Sequence, residues 1–257
     1  MTLELRNLSL SYQVGGTTAL DVLLDINLKI ETGTFVSIIG PSGCGKSSIC
    51  NLIAGVEKST EGDILLDGRS ILGLPGQVGY MPQKDLLLPW RTLLNNVALG
   101  SDIRREDKRK SRETARSWLN RFGLGKFTEH YPQQLSGGMR QRGALLRTFL
   151  FGKTTLILDE PFGALDALTR REMQEWLLNV WSQTGPTVVF ITHDIEEAIL
   201  LSDEVVVLSQ SPAHILERIT VPFSRPRDPE ILLSNEALNV KKRLLDLLCE
   251  KSTGHGK

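Results

Sequence analysis

Residues 40–47 read GPSGCGKS, and no other stretch constrains the chain so tightly. An apolar run at 34–39 (TFVSII) precedes it and a helix-compatible run at 46–54 follows, so the local order is strand, glycine-rich loop, helix. That order builds a phosphate cradle. Glycines let successive backbone N–H groups turn inward, and the start of the helix adds partial positive charge. Gly40, Pro41, Ser42, Gly43, Cys44, Gly45, Lys46, Ser47 and Ser48 are the candidate phosphate-binding residues. In such a loop the lysine, Lys46, reaches the outer phosphates of a nucleotide and the serine, Ser47, ligates Mg²⁺.

Composition narrows the classes open to the rest of the chain. With 257 residues, 40% of them hydrophobic, it can bury the core of one large domain or two small ones. Lys plus Arg and Asp plus Glu are both 30, so overall charge selects neither nucleic acid nor an anionic membrane surface. Cys44, Cys50 and Cys249 are an odd set without paired metal spacing, which points to a reducing compartment. His130, His193, His214 and His255 form no metal-ligand cluster in the sequence. The opening MTLELRNLSL alternates and carries charge, and no apolar run approaches a membrane span, so a soluble cytoplasmic chain is expected.

Leu3, Leu5, Leu8 and Leu10 alternate with polar residues except for a slip at Asn7, and Ile26, Leu28 and Ile30 alternate cleanly. Both stretches predict half-buried antiparallel strands. Tyr12 closes the first, before a turn expected at Gly15-Gly16. It is a candidate platform for a nucleobase, with plain packing as the alternative. Residues 62–66, followed by Asp67-Gly68, predict a further short strand and turn. The segment 85–90, DLLLPW, sits after Gln83. It is too loop-like for a core strand and too apolar for plain solvent, so it reads either as a partner surface or as a loop buried in its own core. Residues 102–116 carry seven basic and four acidic side chains at helix-compatible spacing, which reads as a solvated helix face with internal ion pairs, with a nucleic-acid patch as the alternative.

The later motifs carry chemistry. Ser136-Gly137-Gly138, within LSGGMRQR, opens a helical run and suggests a second helix N-terminus able to accept an anion. The run 154–158 (TTLIL) predicts a buried parallel strand ending in Asp159-Glu160. Ligands bind at the carboxyl ends of such strands. Asp159 there is a candidate Mg²⁺ ligand and Glu160 a candidate base for an attacking water, with an acid pair capping the next helix as the alternative. Residues 187–192 (TVVFIT) predict a third such strand, ending at His193. A fourth apolar run covers 204–208. Beyond the proline-rich stretch 221–229, Leu233, Ala237, Val240, Leu244 and Leu247 mark an amphipathic helix before a polar tail.

Taken together, Tyr12, GPSGCGKS, Gln83, LSGGMRQR, LILDE, ALD at Ala164, Leu165 and Asp166, and His193 resemble the ATP-binding subunit of an ATP-binding cassette (ABC) transporter. The resemblance implies an α/β fold: a phosphate-loop ATPase core with a mostly parallel central sheet, an N-terminal antiparallel β subdomain and an inserted helical subdomain near 84–150. It places the ATP-binding domain at 1–220 and a C-terminal helical extension and tail at 221–257. It implies that Tyr12 stacks on adenine, that Gln83 meets Mg²⁺ and the attacking water, that Glu160 is the base and that His193 holds the γ-phosphate. ATP and Mg²⁺ are the implied cofactors. The chain has one phosphate loop and one LSGGMRQR, without internal repeat. In the family each ATP is held between the phosphate loop of one subunit and the signature helix of another, so Ser136, Gly137 and Gly138 are expected to act on a second copy.

The strings LLLPWRTLLNNVALG and FSRPRD are similar to importer subunits of the nitrate, sulfonate and taurine subfamily. The implied partners are a second copy, a transmembrane permease that holds the chain at the cytoplasmic face of the membrane, and indirectly a solute-binding protein. Tandem cassettes or long coiled coils, which would favour a DNA- or ribosome-directed ATPase, do not appear in the sequence. A module that binds ATP without hydrolysing it would sit with a missing Glu160 or His193, and both are present. Two positions depart from the family pattern, Gly143 and Thr148, where alanine is common and where a softer helix is expected. Cys44 sits at an ordinary place for cysteine, with oxidation as an expected hazard to nucleotide binding.

Overall fold

The computed structural model describes residues 1–14 and 18–249. The turn expected at Gly15-Gly16 and the polar tail, with His255, lie outside the described residues. β1 (Leu3–Val14) and β2 (Thr18–Ile30) form a long antiparallel pair that buries Leu3, Leu5, Leu8 and Leu10. The slip at Asn7 is a β-bulge: Asn7 and Asp25 take φ of 46° and 49°, and Asn7 Nδ2 donates to Asp25 Oδ1 at 2.9 Å. Asn and Asp tolerate this left-handed backbone because their short side chains hydrogen-bond locally.

β3 (Phe35–Ile39), buried at every position, runs through the phosphate loop into α1 (Lys46–Ile53). β4 (Glu61–Leu66) and β5 (Arg69–Ser70) complete a four-stranded antiparallel sheet in the order β2-β1-β4-β5. β6 (Gly79–Met81) leads to a helical stretch of α2 (Leu93–Val97), α3 (Leu99–Ile103), α4 (Lys108–Arg121) and α5 (Gly137–Phe149). β7 (Thr155–Asp159), α6 (Ala167–Thr184), β8 (Thr187–Ile191), α7 (Ile195–Leu201) and β9 (Glu204–Leu208) then alternate strand with helix. β10 (Ile215–Thr220) and α8 (Asn235–Cys249) end the described chain.

The second sheet has six strands in the order β10-β9-β3-β8-β7-β6, parallel throughout except for β10 at its edge. Its central strands β3, β8 and β7 are fully buried apolar runs, as a sheet covered on both faces requires. Their carboxyl ends carry the phosphate loop, His193 and Asp159-Glu160, so three motifs far apart in sequence meet at one rim of adjacent strands. This is the α/β core with its antiparallel sheet and helical insertion that the resemblance implies.

Several expectations need correction. The charged stretch 102–116 is not one helix: α3 ends at Ile103, Arg105 takes φ of 58°, and Asp107 restarts the chain by accepting from Lys110 N at 2.7 Å. Asp102 is half-buried and held by Arg91 and Arg112, each at 2.8 Å, so it ties elements together instead of decorating a solvated face. Within DLLLPW, Leu87 is 6% exposed and belongs to the core, whereas Leu86 and Trp90 are 59% and 71% exposed. In the C-terminal segment Ala237 and Leu244 are buried, but Leu233 is exposed and precedes the helix.

Gly143 does not soften α5 without return. A Cβ there would stand 2.6 Å from Leu93 Cδ1, so the glycine is what lets α2 approach α5. The Thr148 hydroxyl donates to Ala144 O at 3.0 Å, back-bonding within the same helix. FSRPRD also has a structural reason. The Arg225 guanidinium lies 4.1 Å from the Trp181 ring centroid and binds Asp203 at 2.8 Å. Arg227 is buried and donates to Ile199 O and Leu200 O at 3.0 and 3.3 Å, satisfying carbonyls at the end of α7. Burial pulls its pKa down to about 10, which leaves it charged at neutral pH. Lys241 on α8 adds an ion pair to Glu196 at 2.5 Å.

Candidate active site

The phosphate loop wraps a helix start that no side chain caps. Gly45 sits at φ of 108°, with Leu23 Cδ2 and Val22 Cγ1 at 2.9 Å from where a Cβ would project, so only glycine fits. The first N–H groups of α1 therefore keep their hydrogen-bonding capacity for an anion. Lys46 is buried along its stem, and its ammonium donates to Gly40 O and Pro41 O at 2.9 and 2.8 Å. Cys44 is buried beneath the loop, and burial pushes its thiol pKa up, with Lys46 opposing. A thiol held protonated and covered reacts poorly, so the oxidation hazard expected at Cys44 is corrected by its surroundings. Cys50 is buried as well, and Cys249 on α8 is exposed.

Ser42, Gly43, Gly45, Lys46, Ser47, Ser48, Gln83, Glu160 and His193 line one cleft of about 550 Å³. Glu160 is its centre. Gln83 Nε2 donates to Glu160 Oε2 at 3.1 Å, and His193 Nδ1 stands 3.4 Å from the same oxygen. The Glu160 backbone is held in the left-handed region, φ 47°, by its N–H on Ile191 O at 3.0 Å and by Gln141 Nε2 on its carbonyl at 3.2 Å. A non-glycine residue there costs on the order of 1–3 kcal/mol and persists only when its surroundings fix it. Asp159 is buried beside it. Burial raises its pKa, Glu160 adds to the rise, and Ser47 and Lys46 oppose it. Asp159 Oδ1 is buried with no hydrogen-bond partner among the described residues, an acceptor of the kind a hydrated cation satisfies.

Tyr12 stands outside this lining, half-exposed at the end of β1, with its hydroxyl donating to Glu57. Ser136, Gly137 and Gly138 lie elsewhere, at the open start of α5, where the Ser136 hydroxyl accepts from Met139 N at 3.3 Å. The structure thus brings the phosphate-loop, Gln83, Glu160 and His193 sets together and leaves Ser136, Gly137 and Gly138 outside the cleft lining. Sequence reasoning missed Gln141, although it lies inside LSGGMRQR, and Glu57, whose partner is 45 positions away.

The family described as ABC transporter matches residues 23–163, more than half of the chain. The chain belongs to the ABC transporter family. An uncharacterized ABC transporter ATP-binding protein of Methanocaldococcus jannaschii is 40% identical to this cassette over 246 residues, 96% of this chain and 91% of that protein. The taurine import ATP-binding protein TauB of Yersinia pestis is 45% identical over 203 residues, 79% of this chain and 80% of its own. The aliphatic sulfonates import ATP-binding protein SsuB of Bacillus thuringiensis is 41% identical over 228 residues, 89% of each chain. Among solved structures, a dimeric ATP-binding cassette in a post-hydrolysis state with ADP and Pi is similar at a TM-score of 0.79 and 29% identity, covering 86% of this chain and all of that one. The cassette is an ATP-binding ATPase subunit of an ABC transporter. None of its helices among the described residues is long and apolar enough to cross a membrane.

Proposed function

We propose that this cassette powers an importer of a small polar solute, working as a pair of copies on a transmembrane permease. The observation that carries the reading is the meeting of Gln83 and His193 on the Glu160 carboxylate, across one cleft from Lys46 and Ser47. In this reading the loop of Gly40, Pro41, Ser42, Gly43, Cys44, Gly45 and Ser48 cradles phosphates, Lys46 neutralises the β and γ groups, and Tyr12 stacks on adenine. Glu160 takes a proton from water as the water oxygen bonds to the γ-phosphorus and the bond to the β–γ bridging oxygen breaks, giving ADP and phosphate. Gln83 orients that water and His193 holds the γ-phosphate against Glu160. Ser47, Gln83 and Asp159 would hold Mg²⁺, which neutralises phosphate charge when bound, and the unpartnered Asp159 Oδ1 fits such an ion.

Ser136, Gly137 and Gly138 complete the site of a second copy, an arrangement supported by their absence from the lining of the chain's own cleft and by the dimeric relative. The permease docks in an apolar groove of about 450 Å³ lined by Val56, Val78, Leu86, Leu99 and Phe151. Arg147 donates to Leu86 O and Asp85 O at 2.6 and 2.8 Å, and Arg140 Nε to Asp85 Oδ2 at 3.0 Å, so the loop at this groove is bolted to α5, the helix that Ser136 opens. A movement in the groove reaches the second copy's ATP through that helix. TauB and SsuB are named for taurine and aliphatic sulfonates, which supports a solute of the nitrate, sulfonate or taurine kind, delivered by a solute-binding protein. Residues 1–220 form the ATP-binding domain, with 84–150 as its helical subdomain, 221–257 are an extension, and the pair sits at the cytoplasmic face through the permease.

Glu160→Gln tests the reading. Hydrolysis falls by roughly 10²-fold or more, as for loss of a preorganised group. ATP binding survives, and the variant accumulates as a pair in size-exclusion chromatography. A Glu160→Gln protein that releases phosphate at a near-normal rate sinks the assignment.

A further inference from the structure

Behind His193, on α7, lies a carboxylate that the reaction above does not use. Glu197 is 7% exposed. Its Oε2 accepts the Thr192 hydroxyl at 2.6 Å and its Oε1 accepts Gln174 Nε2 at 3.1 Å. Thr192 immediately precedes His193, and its hydroxyl oxygen also accepts the Asp194 N–H at 3.0 Å, so the two chain neighbours of His193 are joined through the Thr192 hydroxyl that Glu197 holds. On the other side Arg170 Nε stands 3.9 Å from Glu197 Oε1, while Arg170 Nη2 donates to Leu165 O at 3.2 Å. Leu165 is the middle of the ALD segment that precedes α6.

Burying a carboxylate costs free energy that a close ion pair does not fully return. At 3.9 Å from a nitrogen without a hydrogen bond, Arg170 is a partial partner only. Burial accordingly raises the Glu197 pKa, with the Thr192 hydroxyl opposing. Favourable charge at the start of α7 does not explain the position either, because Glu196 supplies it from the exposed side of the same turn. What Glu197 alone provides is a link between the end of β8, helix α6 and the ALD segment.

We propose that Glu197 is a positioning residue that fixes the backbone carrying His193 to the helix behind Ala164-Leu165-Asp166, so that the γ-phosphate contact and the ALD segment move as one unit. This rests on the role given to His193 above. The residue touches no substrate and acts through Thr192 on one side and Gln174, with Arg170, on the other.

The test uses the full chain, phosphate release and four variants: Glu197→Ala, Glu197→Gln, Thr192→Val and His193→Ala. Glu197→Ala lowers kcat about tenfold or more, as small displacements of reacting groups do, while KM for ATP stays within about twofold. Adding Thr192→Val to Glu197→Ala costs little more, because the two act through one contact. Glu197→Gln keeps the side-chain volume and carries the test if the alanine variant fails to fold. Its ¹⁵N-histidine NMR spectrum shows the His193 ring signals displaced, with the other histidines unmoved. A wild-type kcat for the glutamine variant with unmoved His193 signals overturns the proposal. So does a loss in which KM and thermal midpoint shift as much as kcat, which marks a role in folding alone. Full activity in His193→Ala instead removes the His193 reading on which the proposal stands, whereas loss there with normal Glu197 variants removes the proposal alone.

Discussion

α1 and α5 both begin at glycine-containing turns suited to an anion, yet their surroundings differ. At α1 no side chain caps the helix, Gly45 is pressed by Val22 and Leu23, and Lys46, Gln83, Glu160 and His193 wall the space ahead. At α5 Ser136 caps Met139 with its own hydroxyl, and Ser136 and Gly137 are exposed. The same helix-terminus physics therefore meets a walled cleft in one place and an open surface in the other. An open start needs a second surface to exclude water from what it binds.

The sharpest way to break this contrast is to disable each start in turn. Ser136→Arg fills the open start with a long cation and lowers hydrolysis by roughly 10²-fold, as loss of a preorganised donor does, while ATP still binds at the walled site. Mixing Ser136→Arg with Lys46→Ala protein then restores activity. In a two-fold pair each mixed assembly keeps one intact composite site, so random mixing returns about a quarter of the wild-type phosphate release. No recovery in mixed pairs shown to have formed counts against action across copies.

A second prediction concerns the groove bolted to α5. Leu86→Asp with Val56→Asp, both lining the groove and exposed, abolishes retention of the permease in detergent pull-down and leaves ATP binding by the free chain unchanged. Unchanged retention removes the groove from the coupling path. Leu87→Asp, by contrast, puts a charge in the core and costs several kcal/mol of stability.

The smallest effect lies inside α5. Gly143→Ala lowers stability in urea by about 1–3 kcal/mol, the usual cost of overpacking, although alanine is the better helix former. With Leu93→Val the crowding atom is gone and the same change becomes stabilising. If Gly143→Ala stabilises the wild-type background, the contact with Leu93 is not what selects glycine.

What was legible in the sequence was local. TFVSII with GPSGCGKS, LILDE, and TVVFITH each pair a buried strand with the polar residues that follow it, and apolar runs of that length identify such strands without tertiary knowledge. The meeting of these ends at one rim followed from the parallel topology that the resemblance implied. What escaped depended on contacts across the fold. Leu87 and Leu86 are indistinguishable as letters, and only the turn at Leu86, with φ of 44°, sends one inward and the other out. The break in 102–116 sits at Arg105, with φ of 58°, and at the new helix that Asp107 caps, and Asp102 is claimed by Arg91 and Arg112 from outside the run's own spacing. Gly143 looked like a weak helix residue because Leu93, 50 positions earlier, is invisible to helix propensity. Glu197 is one of two adjacent acids in IEEA as letters, and what distinguishes it, its partners Arg170 and Gln174, comes from another helix.

Two of the three thiols are sealed inside the protein, and Cys249 at the end of α8 is open. A maleimide spin label applied to the native chain will therefore attach once per copy, without any cysteine having to be removed. In a symmetric pair this yields a single inter-label distance, readable by pulsed electron resonance as nucleotide is added, hydrolysed and washed away.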